Sequence, residues 1–337
     1  MTIKIATRLR PFSHSSHTIT LIPKTRLAAE IFPAYVRVFD PTTKKTVYEQ
    51  ELSFGPLDHF TVILDLEKGR IEVSGEAACG FQRYYITPNA IEFQKGSKET
   101  ISFANPEKIA DFPQRERLSL GCHKAQDVAA IFRRGDLTEI LPIWFFLAQS
   151  VAQVEDAEIA NPSLFSALKD AVDAKDTSHI YESLSHFFKA SFTSLFFPRL
   201  TDDFRQGFKQ PILTTFSSAS PLLVLQKSLP YMRHLFFHED EKVWQFLPVL
   251  PKEFHAGRII DLRSKSNHLI AIEWTKKSIF RATINAVQDD FFVFKFHPDI
   301  KRFRMSTRSR KVLGQVSNGQ EIPLSKGEGY LLDRFEK

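Results

Sequence analysis

Apolar positions recur at every second residue from residue 2 to about 104. They form short runs such as "HFTVILDLE" and "GRIEVSGEA", separated by "DPTTKK", "FGPLD" and "EKG". A period of two puts successive side chains on opposite faces of a strand, and turn residues between such runs mark reversals of the chain. Short strands with no helices between them predict an antiparallel sandwich or barrel. Within "VFDPTTKKTVYEQEL", Asp40 and Pro41 set a turn and the β-branched Thr46 and Val47 restart the strand.

From Asn105 to about Phe237 the spacing changes to three and four residues, the period of a helix with one apolar face. In "HKAQDVAAIFRRG" and "DLTEILPIWFFLAQSVAQV", Gly135 is placed to end the first helix. Asp136, with Glu139 three residues on, is placed to cap the second. Asn161 before Pro162 is a favoured cap followed by a favoured first helical residue. "DTSHIYESLSHFFKASFTSLFF" and "ASPLLVLQKSLPYMRHLFF" complete about five or six helices, the last bent near Pro230.

Alternation returns from Trp244. Ile270, Ile272 and Trp274 share one strand face, Phe280, Ala282, Ile284 and Ala286 share a face of the next, and "TKKS" turns between them. The whole pattern predicts an α+β multidomain chain. Its parts are an N-terminal antiparallel β-sandwich-like module over 1–104, a short α-helical region over 105–243 and an all-β module over 244–337.

Composition adds little to this reading. The 337 residues are 43% hydrophobic and 25% charged, enough apolar material for a sizeable core. The 32 phenylalanines cluster in "LPIWFFLAQ", "SHFFKASFTSLFFPRL" and "DDFFVFKFHP", where they read as core and interface fillers. A net charge of +6 tolerates an anionic partner without requiring one. Two cysteines, Cys79 and Cys122, make no disulfide framework and fit a reducing compartment, so the expected location is cytoplasmic. The start of the chain carries no apolar run of the secretory kind. The stretch Ile140 to Val154 is too short to span a bilayer, so no transmembrane segment is expected.

One segment has the character of a known family. In "FLPVLPKEFHAGRIIDLRSKSNHLIAIEWTKKSIFRATI", Leu247, Pro248, Leu250, Pro251, Gly257, Arg258, Leu262, Arg263, Glu273 and Trp274 follow one another in a recognisable order. The order resembles the C-terminal part of the inverting alpha-L-fucosidase family of glycoside hydrolases, whose helices form a toroidal barrel ahead of a β module. The resemblance implies a partial α/α toroid for the helical region here, and a scaffold role for the prolines, which would end the last helix and stiffen the crossing to the β module. In that family the general base lies in an Asp-Gly-Asn segment before the last barrel helix. At the matching place this chain reads "LTTFSSASPLL", with no carboxylate between Asp203 and Glu239. The chain as a whole, with "ERLSLGCHKAQD", also resembles a family of proteins from intracellular bacteria, which implies no mechanism.

Hydrolysis with inversion needs a proton-donating carboxyl and a water-activating carboxylate on opposite faces of the sugar. With the family's base position lost, a relocated pair would come from Asp127 or Asp136 with Asp202 or Asp203. Arg199 and Trp144 could then line the site, Trp144 as a stacking surface, beside His123 and Lys124 of "GCHKAQD". Each of these residues has an ordinary alternative use, as a cap, a core filler or a solvated loop. Three carboxylates without a histidine spacing argue against zinc. The pairs His14 with His17 and His234 with His238 are also at separations that permit metal ligation.

"DIKRFRMSTRSRK" puts Arg302, Arg304, Arg308 and Arg310 on one side of a strand, a stripe of roughly 27 Å. Such a stripe can follow an anionic backbone or keep an exposed edge soluble. No aromatic residues are interleaved with the arginines in the way single-stranded nucleic acid requires, which argues against that partner. No phosphate-cradling glycine loop, dinucleotide fingerprint or Gly-x-Ser-x-Gly elbow occurs, and no cofactor is expected. The reading that fits most of these features is a non-catalytic protein on a degenerate glycoside hydrolase-like scaffold, binding a protein partner or a glycan. A hydrolase with the relocated pair and an anion binder acting through the arginines are its rivals.

Overall fold

The computed structural model describes residues 2–94, 100–103, 115–154, 162–200, 202, 220–309 and 311–337. The first ten strands are β1 (Phe12–Ser13), β2 (Thr18–Leu21), β3 (Ala28–Phe32), β4 (Tyr35–Phe39), β5 (Thr46–Glu51), β6 (Asp58–Asp65), β7 (Arg70–Ala77), β8 (Gly80–Ile86), β9 (Ala90–Phe93) and β10 (Thr100–Ser102). They form two antiparallel sheets, one in the order β1-β6-β7-β8-β9-β10 and one in the order β2-β3-β4-β5. Alternation decides which face is buried: on β6, Phe60, Val62 and Leu64 point to the core between more exposed neighbours. The turn after β4 is the expected one, with Asp40 Oδ1 accepting the Thr42 amide at 2.8 Å.

A short strand, β11 (Arg117–Ser119), precedes the helices α1 (Val128–Arg134), α2 (Leu137–Ala148), α3 (Pro162–Asp173), α4 (Thr177–Ser191) and α5 (Leu222–His234). The punctuation between α1 and α2 is as predicted. Gly135 ends α1 with a left-handed φ of 62°, and Asp136 caps α2 by accepting the Thr138 amide. α2 is buried almost all round and forms the axis of the helical region, packed on α5. Asn161, the cap expected for α3, lies outside the described residues.

After α4 the structure departs from the helical expectation. "FTSLFF" turns into two small strands, β12 (Phe192–Ser194) and β13 (Phe197–Pro198). The reversal brings Arg199 back to the end of α4, where its guanidinium donates to the carbonyls of Ala190 at 2.9 Å and Lys189 at 2.7 Å. Those carbonyls have no partner within the helix, so the hairpin supplies what one more helical turn would have supplied.

The remaining strands are β14 (Phe237–Asp240), β15 (Val243–Phe246), β16 (Gly257–Arg263), β17 (Leu269–Thr275), β18 (Ser278–Asn285), β19 (Asp290–Lys295), β20 (Arg302–Thr307), β21 (Val312–Ser317), β22 (Glu321–Leu324) and β23 (Gly329–Glu336). Seven strands run β11-β16-β17-β18-β23-β20-β21, and four run β14-β15-β19-β22 with β15 and β19 parallel. The two prolines of "LPVLP" therefore follow a strand, β15, and not a helix; α5 ends at His234 and a hairpin intervenes. Between β17 and β18 the two-residue turn Lys276–Lys277 has positive φ at both positions, the geometry that matches strand twist. Ile270, Ile272 and Trp274 are buried together as expected. Phe280 is not buried with Ala282 and Ile284: a bulge at Glu273/Trp274 shifts the register, Ile279 turns inward and Phe280 is 57% exposed.

The N-terminal sheets pack directly on the helices. The Leu21 amide donates to Phe196 O and the Lys24 amide to Ser150 O, and Phe39 lies against Phe197. One hydrophobic cluster runs from Leu9 to Leu332 through all parts of the chain, and the phenylalanines of its centre are fillers as expected. No helix among the described residues is long and apolar enough to cross a membrane.

Candidate functional site

The outward face of the seven-stranded sheet carries a cleft of about 490 Å³. Its floor is set by cross-strand pairing. Thr283 of β18 pairs with Leu331 of β23, which pairs with Ser306 of β20, and Asn285 pairs with Gly329. Ala282, Ile284, Tyr330, Leu332 and Met305 occupy the alternate positions and are buried beneath. Period-two alternation thus makes the core below and the cleft above from the same three strands.

Two charged groups in the cleft hold each other. Arg304 donates from Nε and Nη2 to the two oxygens of Asp333, at 2.7 and 2.6 Å, a planar fork-to-fork pair across neighbouring strands. Each side chain is about a quarter exposed, so both remain within reach of a ligand. Arg308 also lines the cleft, where its guanidinium is exposed and has no partner among the described residues. Its amide donates to Gly329 O at 2.6 Å. A Cβ at Gly329 would lie 3.2 Å from Asn285 Oδ1 and 3.3 Å from Arg308 Cβ, so the missing side chain keeps this end of the floor open.

The arginine stripe is therefore only partly free. Arg302 pairs with Glu336 at 2.5 Å and Arg304 with Asp333, so these two positions form an ion-pair ladder between β20 and β23. Arg310 lies outside the described residues. A continuous run of uncompensated positive charge, which a nucleic-acid backbone would follow, is absent from Arg302 to Arg308.

The carboxylates nominated for catalysis have structural work. Asp127 caps α1, accepting the Ala130 amide at 2.9 Å, and Asp136 accepts both the amide and the hydroxyl of Thr138. Asp202, whose side chain is almost wholly enclosed, binds Arg199 at 2.8 Å, and Arg199 in turn caps α4. Asp203 lies outside the described residues. Trp144 offers no stacking surface: it is fully enclosed, stacks on Phe187 and donates to Ser228 Oγ at 3.1 Å.

Near α1, exposed His123 meets Thr7 Oγ1 at 3.2 Å, and Lys124 donates to Glu139 at 2.9 Å. The second partner of buried Glu139 is Arg134, whose hydrogen bond, more than that of Lys124, holds its carboxyl below the usual range against the opposing effect of burial. No set of three or more His, Cys, Asp or Glu among the described residues converges on a metal position. His234 and His238 stack with centroids 4.0 Å apart; burial, and then the neighbouring ring, lower His234 to about 4. His17 rests on Phe32 and bonds Glu30, and His14 bonds Thr61.

Sequence reasoning named Arg304 and Arg308 but missed Asp333, Asn285, Thr283 and Ser306. Their signal was present as the polar half of the alternation in "FRATIN", "RFRMST" and "GYLLDRFE". The adjacency that unites them was not, because β23 inserts between β18 and β20.

With this geometry established, comparison with known proteins is informative for one part of the chain. Residues 239–332 match the glycoside hydrolase family 95 C-terminal domain, a segment that contains every strand lining the cleft up to Leu332. Among solved structures, a GH127 beta-L-arabinofuranosidase from Geobacillus stearothermophilus T6 is similar at a TM-score of 0.23 and 10% identity, covering 51% of this chain and 30% of that enzyme. No curated protein matches the chain. The C-terminal module is thus glycoside hydrolase-like in sequence and all-β in structure.

Proposed function

We propose that the protein is a non-catalytic binding protein whose seven-stranded sheet holds a hydroxyl-rich, glycan-type ligand in the cleft at Asp333. One observation carries this reading: within a module matching a glycoside hydrolase domain, the Arg304–Asp333 pair presents a planar set of donors and acceptors between the hydroxyls of Thr283 and Ser306. Vicinal sugar hydroxyls pair well with such groups, since each hydroxyl both donates and accepts. The pair is already made before a ligand arrives, so little side-chain ordering opposes binding. Commitment of Asp127, Asp136 and Asp202 to caps and an ion pair supports binding over hydrolysis.

The test is calorimetric titration with neutral and acidic oligosaccharides. Wild-type protein is expected to bind at least one class, and Asp333→Asn, which loses a charged acceptor, to weaken it about tenfold. Release of a monosaccharide that stops on Asp127→Asn or Asp136→Asn would establish the hydrolase instead. A second reading, an extended peptide added along β21, is favoured by the exposure of Val312 and Leu313 on that edge strand.

A further inference from the structure

The cleft has an uneven charge. Arg304 and Asp333 cancel, and the remaining charged group that lines the cleft among the described residues is Arg308. No side chain or carbonyl among the described residues bonds that guanidinium. Its stem does have a seat, since Cβ and Cδ lie 3.3 and 3.5 Å from where a side chain at Gly329 would begin, and its amide is tied to Gly329 O. Arg308 is thus a fork on a held stem at the end of the cleft, without a partner among the described residues and beside the exposed Asn285.

Resting on the glycan reading of the cleft, we infer that Arg308 selects an acidic sugar, a hexuronate whose carboxylate docks on its guanidinium while ring hydroxyls meet Arg304 and Asp333. A planar carboxylate matches two parallel N–H donors of arginine, a fit that a lysine ammonium cannot reproduce. In a cleft open to water an unpaired guanidinium gives up little hydration until an anion replaces that water. The site then favours the charged sugar over its neutral counterpart.

The experiment titrates a tri-galacturonate, its methyl ester and a sulfated trisaccharide without carboxylates into wild-type protein, Arg308→Gln, Arg308→Lys and Asp333→Asn, with folding checked by circular dichroism. The expected result is that the acid binds wild type at least about tenfold more tightly than the ester. Arg308→Gln erases that difference, and Arg308→Lys restores only part of it. Equal binding of acid and ester overturns the inference; if that binding still falls in Asp333→Asn, the glycan reading survives it. Tighter binding of the sulfated sugar than of the uronate overturns the carboxylate assignment. Absence of binding by all three overturns both readings.

Discussion

At the scale of single residues, several positions are fixed by close approach. Gly257 is one: a Cβ there would stand 2.4 Å from Trp274 Cζ2 and 2.7 Å from Ser119 O. Neither neighbour can yield, because Trp274 is buried with its Nε1 bonded to Phe254 O at 2.9 Å, and Ser119 is backbone of a paired strand. Gly257→Ala is expected to lower stability by about 2–3 kcal/mol through overpacking, read as a fall in the urea midpoint. Trp274 and Gly257 were both noticed in the sequence as parts of a family-like order, but their mutual contact was not legible there. Glu239 explains another gap. It faces inward on β14, accepting from Trp244 Nε1 and the Lys265 amide, and this polar residue at a core position breaks the alternation that would have announced the hairpin. Phe280 misled in the opposite sense, since a bulge changes which parity is buried without altering the residue types.

At the scale of elements, what could be read depended on whether the signal was local. Caps are local, and Gly135 and Asp136 stand where the sequence put them. Loss of one such cap by Asp127→Ala is expected to cost about 1 kcal/mol of stability, measurable by denaturant titration. The elbow between α1 and α2 is also pH-sensitive through Glu139. Its carboxyl is lowered in the folded chain, so it stabilises the fold above the ordinary glutamate range, and that contribution is lost as pH falls through the lowered value. Glu139→Gln should therefore be less stable than wild type at pH 7, with the gap closing on acidification. The junction of α5 with β14 has the same acid sensitivity from the opposite cause. His234 is kept neutral to about pH 4, whereas the unfolded chain takes up the proton near the ordinary histidine value. Its stability contribution is complete above that value and declines as pH falls from there to about 4, and His234→Gln should flatten this stretch of the profile. Neither behaviour was visible in the sequence, because burial and ring stacking are products of the fold.

At the scale of the whole molecule, the parts drawn along the sequence are stitched together by non-local pairing. β11 lies ahead of the helices yet forms the edge of the C-terminal sheet by pairing with β16. Glu116, just before it, accepts from Arg233 of α5 and from the Arg263 amide of β16, while its own amide donates to Gln149 at the end of α2. A strand of three residues has no local signature that survives without its partner, which is why this bond between the parts escaped the alternation pattern. A fragment beginning at residue 239 would lack β11 and α5, leaving the edge of β16 unpaired and uncovering Phe236-facing Trp274. Such a fragment is expected to aggregate or stay unfolded, although it spans the matched family segment. The full chain, by contrast, should melt in a single calorimetric transition, since one continuous hydrophobic cluster joins its parts among the described residues. Glu116→Ala tests the stitch itself: with one partly buried acceptor gone from Arg233 and β16, the transition should move to lower temperature. Two separated transitions in the wild-type scan would mean that the C-terminal sheet, cleft included, stands without the helices.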